Sequence, residues 1–225
     1  MDETPATDLD DLIRRVDPDR WISSRFIGAP EARADVVALY AFDHELARAP
    51  RVASNPLIGE IRLTWWREAL DEIFEARAVR KHPTAEALAL AVRRRRLPRE
   101  ALEGLVDARY RELDPAAMDE AEALEWAVGT GGGVAALAAR MLAPEADPEA
   151  ARPAGSTWAL GRRALEAPSL RPAFEQMRIR GRAGVRRLPA AAFPAVAHAA
   201  LAGRSGGSPL VRRLRVTWAV ARGGI

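Results

Sequence analysis

A chain of 225 residues with 48% hydrophobic and 29% charged residues lies within the globular range and is long enough to bury roughly 70% of its unfolded surface, which excludes a disordered or fibrous protein. It has no cysteine, which removes disulfides, thiolate metal sites and a cysteine nucleophile. The net charge is +3 and the isoelectric point about 10.1, because Lys81 is the only lysine among 34 basic residues and arginine does not titrate in a useful range.

The opening stretch MDETPATDLDDLIRRV is acidic and lacks the apolar run of a secretory signal, which points to a cytoplasmic bacterial protein. It holds a short helix over Leu9 to Val16. Helical periodicity then predicts helices over Glu31 to Ala49, Leu57 to Arg77, Thr84 to Arg95, Arg99 to Leu113, Asp119 to Leu142, Pro148 to Glu166 and Leu210 to Arg222. Pro30, Pro50, Pro83, Pro98, Pro115 and Pro144 mark their limits. No run of alternating β-branched residues argues for a sheet, so the expected class is all-α, with residues 1–225 forming one domain.

The helix from Leu57 carries Ile58, Ile61 and Trp65 on one stripe and Leu63, Trp66, Leu70 and Phe74 on the next. So wide an apolar surface predicts a central helix. Arg67 with Asp71, and Asp107 with Arg111, stand at the spacing of intrahelical ion pairs. His82, before Pro83, reads as a helix-start device, and His44 as a partly buried polar group beside Asp43. The glycines from Gly129 to Gly133 lack the Lys-Ser/Thr of a phosphate loop and suit a close approach of two helices or an apolar cavity. His44, His82 and His198 are too scattered for a zinc site. From 167 to 208 prolines, glycines and arginines interrupt the pattern, which reads as broken helices or partly mobile loop. Between Arg171 and Arg222 the single acid is Glu175. That asymmetry suggests an anionic partner such as a membrane surface. Nucleic acid is disfavoured, since no aromatics interleave the arginines.

The strings VVALYAF, EIRLTWWREALDEIF, HPTAEALALAVRRRRLPREALEGLVDARYRELDP and GGGVAALAARMLA follow one another in an order and spacing that resemble the squalene/phytoene synthase family, over about the first two thirds of the chain. The resemblance implies an isoprenoid-synthase-like helical bundle. The chain is shorter than the family pattern after Pro168, which predicts a bundle truncated toward its C-terminus.

In the family's enzymes the helix beginning VVALYAF continues into an aspartate-rich stretch whose carboxylates hold magnesium against a substrate diphosphate, because ionising an allylic diphosphate requires a Lewis acid with hard oxygen ligands. Here the continuation is DHELARAPR, and in the register of the resemblance the expected aspartates fall at Ala47, Arg48 and Arg51. A guanidinium about 4 Å from a cation costs about 4 kcal/mol or more at an effective dielectric near 20, and alanine offers no oxygen. Of the remaining acids, Asp43 falls on the inward stripe with Val36 and Leu39, whereas Glu45 faces away. The second metal-binding stretch corresponds to STWALGRRALEAP, with Arg162, Arg163 and only Glu166 as an acid.

The resemblance also places Tyr40, Asp43, Arg62, Trp65, Asp107, Gly129 and Gly133 around a ligand cavity. Phe42, Trp66 and Trp126 are further aromatic candidates that ordinary core packing explains equally well. The segment AFDHELARAPRVASNPLIGEIRLTWW is similar to a branch of the family that includes an assembly factor of mitochondrial respiratory complex I, regarded as non-catalytic and acting at the inner membrane. The resulting expectation is a pseudoenzyme with no catalytic residues, metal or cofactor. It would bind a protein partner or a lipid or isoprenoid ligand, in the cytoplasm or peripherally on the inner membrane. The alternative is an active head-to-head prenyltransferase using magnesium on rearranged ligands.

Overall fold

Proline punctuates this chain at the starts of helices. In the computed structural model, which describes residues 5–51, 55–204 and 206–225, Pro18, Pro30, Pro56, Pro83 and Pro209 each occupy the first position of a helix, where the missing N–H would have no partner anyway. The acidic residues 1–4 and Ser205 of the Gly-Ser tract lie outside the described residues. The helices are α1 (Pro5–Val16), α2 (Pro18–Ser24), α3 (Pro30–Arg51), α4 (Pro56–Phe74), α5 (Pro83–Arg95), α6 (Arg99–Asp107), α7 (Glu120–Ala127), α8 (Gly133–Leu142), α9 (Arg152–Glu166), α10 (Arg171–Val185) and α11 (Pro209–Arg222). No strand occurs among the described residues, and the class is all-α.

Side chains fix several of these starts. Asn55 caps α4 by accepting the Leu57 N–H at 2.8 Å, and Asp119 and Glu122 form a capping box on α7. His82 has the role its position predicts. Its Nδ1 accepts the Thr84 N–H at 3.2 Å, while its ring packs edge-on against Trp65 and Trp66. His82→Ala and His82→Ser lose that packing alike, but serine restores an acceptor. The serine variant is therefore expected to be more stable than the alanine variant by about 1 kcal/mol in urea unfolding, which isolates the cap.

The centre of the bundle is α3. Every residue from Asp35 to Asp43 is buried, because α1, α4, α5 and α8 pack around it. The sequence puts α4 there, and the structure corrects this. Helix α4 buries Leu63, Trp66, Ala69, Leu70 and Ile73 on one face, while Leu57, Ile58 and Ile61 are open to solvent. Periodicity reports the width of an apolar surface, and cannot report whether a neighbour covers it. Helices α8 and α9 are enclosed as well, buried without interruption from Gly133 to Ala139 and from Ala154 to Gly161.

The expected intrahelical ion pairs give way to pairs between elements. Arg67 meets Asp107 and Asp71 meets Arg99, while Arg111 reaches Glu122 at 2.7 Å. Buried Asp35 accepts from Arg94 at 2.5 Å and Arg95 at 2.6 Å, tying α3 to α5.

Three expected continuous helices are interrupted. Arg99–Leu113 ends its α-helix at Asp107 and finishes as a 3-10 turn over Tyr110–Leu113. A 3-10 turn over Pro148–Ala151 precedes α9, and a π turn over Val128–Gly132 separates α7 from α8. The stretch 167–208 departs the other way. It contains α10, of 15 residues, and three 3-10 turns, Pro168–Leu170, Ala190–Ala195 and Ala197–Leu201, with Ala192 to Ala199 buried. Two glycines that suggest helix breaking are packing devices instead. A Cβ on Gly184 would stand 2.4 Å from the Ala150 carbonyl oxygen, and one on Gly181 2.8 Å from Thr157 Oγ1. The Ser23 hydroxyl pins the 3-10 region to α2, donating to the Pro194 carbonyl at 2.7 Å and accepting the His198 N–H at 3.1 Å.

Candidate functional site

Helices α3 and α9 carry the two stretches in which degenerate metal motifs are expected, and both supply walls to one cavity of about 630 Å³. From α3 come Asp43, His44, Ala47 and Arg51, and from α9 come Arg162, Arg163 and Glu166. Glu45 and Arg48 stay outside it and pair with each other at 3.1 Å. Trp126 and Trp158 give the cavity aromatic walls. The Arg162 guanidinium lies 5.0 Å from the centre of the Trp158 ring and that of Arg163 lies 4.9 Å from the Trp126 ring, distances at which cation and ring attract.

At the floor sits Asp43, 4% exposed, with each carboxylate oxygen on a different arginine. Arg20 Nη1 donates to Oδ2 at 2.5 Å and Arg109 Nη2 donates to Oδ1 at 2.6 Å. Arg20 is 2% exposed and lies between two rings, 4.2 Å from the Trp158 centre and 5.3 Å from that of Tyr40. Arg109 continues to Glu112 at 2.6 Å, which accepts the indole N–H of Trp126 at 2.8 Å. Burial alone would raise the Asp43 carboxyl, but the charges of Arg109 and Arg20 and their hydrogen bonds prevail and hold it well below the usual carboxylate range. Asp17, which caps α2, stands beside this network 3.7 Å from Arg20. Burial pushes its carboxyl above the ordinary value against the pull of Arg20 and Arg162.

Behind the floor, burial pushes the Tyr40 phenol up, and burial with the Arg20 charge pushes His198 well below its ordinary value. Among the described residues the Tyr40 hydroxyl and His198 Nδ1 have no hydrogen-bond partner. Burial likewise lowers His44.

The structure distributes the other expected lining residues elsewhere. Arg62 is exposed on α4. Trp65 lies under Arg80, whose guanidinium is 4.5 Å from its ring, and against Trp66 and His82. Exposed Asp107 borders a shallow groove with Gly129, and Gly133 borders another between α6 and α8. Phe42 and Trp66 pack edge-to-face in the core. The glycines do let helices approach: a Cβ on Gly131 would be 2.6 Å from the Gly155 oxygen, and one on Gly155 2.2 Å from the Gly131 oxygen.

Arg20, Arg109, Glu112 and Trp158 escape the sequence reading. Arg109 alone leaves a signal, since it continues the buried stripe of Leu102, Leu105 and Val106 and so stands as an arginine at a core position. Arg20 lies on the short α2, which periodicity does not predict.

A magnesium cluster of the kind the family's enzymes use needs several convergent carboxylates. Among the described residues no three histidine, aspartate or glutamate side chains converge as metal ligands, and both oxygens of Asp43 are occupied by guanidinium groups. This donor set does not fit such a cluster.

Comparison with known proteins agrees with the architecture. The chain is 32% identical over 115 residues to NADH dehydrogenase (ubiquinone) complex I, assembly factor 6, from Bos taurus and from Homo sapiens, and 29% identical over 133 residues to that of Mus musculus. The bovine and human alignments take in 51% of this chain and 34% of the relative, so the chain spans about a third of the length of these curated relatives. Among solved structures, a dehydrosqualene synthase in complex with ligand matches with a TM-score of 0.75 at 10% identity, over 97% of this chain and 95% of that one. The shared fold thus runs through the stretch past Pro168 in which the sequence suggests truncation. The profile described as squalene/phytoene synthase matches residues 13–162, and the chain belongs to the squalene/phytoene synthase family.

Proposed function

We propose that this chain is a pseudoenzyme of its family, without a resident metal or cofactor, which binds a protein partner and acts in the assembly of respiratory complex I. The observation that carries this reading is the condition of Asp43. The one inward carboxylate of the first motif is spent on a buried ion-pair network with Arg20 and Arg109, and arginines stand at the rim where metal ligands would be needed. Similarity to assembly factor 6 over about half of this chain supports the partner role. The chain would work in a bacterial cytoplasm at the inner membrane surface. Among the described residues no helix is long and apolar enough to cross a membrane.

Two experiments test this reading. Deleting the gene is expected to lower NADH–ubiquinone oxidoreductase activity and the amount of assembled complex on native gels, and normal levels of both would refute the assembly role. Purified protein incubated with farnesyl or geranylgeranyl diphosphate and magnesium is expected to give no condensation product. Product formation that disappears in Asp43→Asn would establish the prenyltransferase alternative.

The cavity favours a second role beside the first. Trp126 and Trp158 next to Arg162 and Arg163 suit an isoprenoid or lipid with an anionic head. A rise in melting temperature with farnesyl diphosphate in the absence of metal supports that role, and no shift across a panel of prenyl and lipid ligands removes it.

A further inference from the structure

Helix α11 is amphipathic with its apolar face turned outward. Val216 and Ala219 are its buried residues, and the only side chain tied by an ion pair among the described residues is Arg212, which meets Asp19 of α2. At about 100° per residue, Leu210, Leu214 and Trp218 form a stripe on the side opposite Val216 and Ala219. They are 65%, 59% and 60% exposed. Arginines flank the stripe on both sides, Arg213 on one and Arg215 and Arg222 on the other, and the Arg222 guanidinium lies 4.1 Å from the centre of the Trp218 ring. Beside Arg213, a small apolar groove opens between α11 and α2, bordered by Trp21 and Phe26.

An ordinary surface helix places charge outward, and three large apolar side chains in line at four-residue spacing are costly in water. The charge around them is of one sign. No Asp or Glu follows Glu175 in the chain, so the flanking guanidiniums have no acidic neighbours along the sequence. An apolar stripe containing tryptophan between two rows of arginine complements the boundary of an anionic bilayer, where the stripe enters the acyl region and the guanidiniums meet phosphate groups. A nucleic acid would use the arginines and leave the leucines exposed.

We propose that α11 docks this protein on the surface of an anionic lipid membrane, lying in the plane of the headgroups with Leu210, Leu214 and Trp218 inserted. The proposal rests on the membrane placement in the functional reading above and supplies the surface responsible. It does not depend on what the cavity binds.

The test is co-sedimentation of the full chain with vesicles of phosphatidylcholine alone and of phosphatidylcholine with phosphatidylglycerol in equal parts, with a parallel set carrying brominated acyl chains. Binding is expected only to the anionic vesicles, with weakening at high salt and quenching of tryptophan fluorescence that disappears in Trp218→Phe. The triple variant Arg213→Gln, Arg215→Gln, Arg222→Gln should lose affinity on the order of a hundredfold, taking each basic residue at the surface as worth about 1 kcal/mol. The double variant Leu214→Ser, Trp218→Ser should sediment little. Both variants spare Val216 and Ala219, and unchanged melting curves would show that the fold is kept. Absence of vesicle binding, equal binding to neutral vesicles, or binding that neither variant reduces would each overturn the proposal. So would binding to duplex DNA in place of vesicles, or a stable dimer in light scattering that shields Trp218. Vesicle binding is measured on purified protein, so its failure would leave the complex I result from the deletion strain standing, and the converse holds equally.

Discussion

Replacing Asp43 with alanine is expected to destabilise the protein by about 3–5 kcal/mol, the cost of leaving buried charges without their partner. Arg20 and Arg109 are both buried and both aim a guanidinium N–H at this carboxylate. The variant strands two cations, of which Arg109 alone keeps an acidic neighbour at hydrogen-bond distance, Glu112. Urea unfolding measures the loss. Asp43→Asn should recover only part of it, since an amide accepts one N–H well and carries no charge. Adding Arg109→Met to Asp43→Ala should make the double variant less unstable than the sum of the two single changes, because each removes the reason for the other's cost. A carboxylate held free to ligate metal would behave oppositely, and its removal would leave stability unchanged or raise it.

The same network sets a direction for pH. The Asp43 carboxyl has its folded pKa below the unfolded value, which is about 3.9. The pair therefore contributes fully above that value, and its contribution is lost as the pH falls below about 4 toward the folded pKa. The wild-type stability curve should drop through that acid range, and Asp43→Ala should show a shallower drop.

Gly155→Ala is the second substitution expected to have a large effect, a loss of about 2–3 kcal/mol despite the better helix propensity of alanine. Its Cβ would lie 2.2 Å from the Gly131 carbonyl oxygen and 2.5 Å from the Ala135 Cβ. Neither contact can be relieved by a side-chain rotation, so α9 must move off the π turn. Gly104, inside α6 with open space where a Cβ would stand, is the control. Gly104→Ala should stabilise by about 0.5–1 kcal/mol. Thermal unfolding of the two variants side by side separates helix propensity from helix contact.

Sequence periodicity locates most helices of this bundle, because an apolar stripe every three or four residues is a local property. Long-range cover is not local, which is why α4 reads as central and α3, enclosed from Asp35 to Asp43, does not announce itself. Glycine misleads for a related reason. At Gly181 and Gly184 it reflects the close approach of Thr157 on α9 and of Ala150 in the turn before α9, and no feature of the surrounding ten residues shows those neighbours. The motif positions on α3 and α9 were legible from the family pattern, and they do meet at one cavity. What holds the cavity floor was not, since Arg20 and Arg109 come from distant segments and the partner of a charge is decided in three dimensions. Asp107 and Arg109 make the point within one string: the acid faces solvent and the base faces the core.

The π turn at Val128–Gly132 gears two surfaces to each other. Trp126, just before the turn, donates its indole N–H to Glu112, and Gly131, inside it, fits against Gly155; removing one residue from the turn would rotate everything beyond it by about 100° relative to Trp126. The segment cannot shed the residue and relax into regular helix without surrendering either the indole on the cavity wall or the seam with α9. Insertions and deletions, tolerated in most helical hairpins at their loops, should be barred from these five positions.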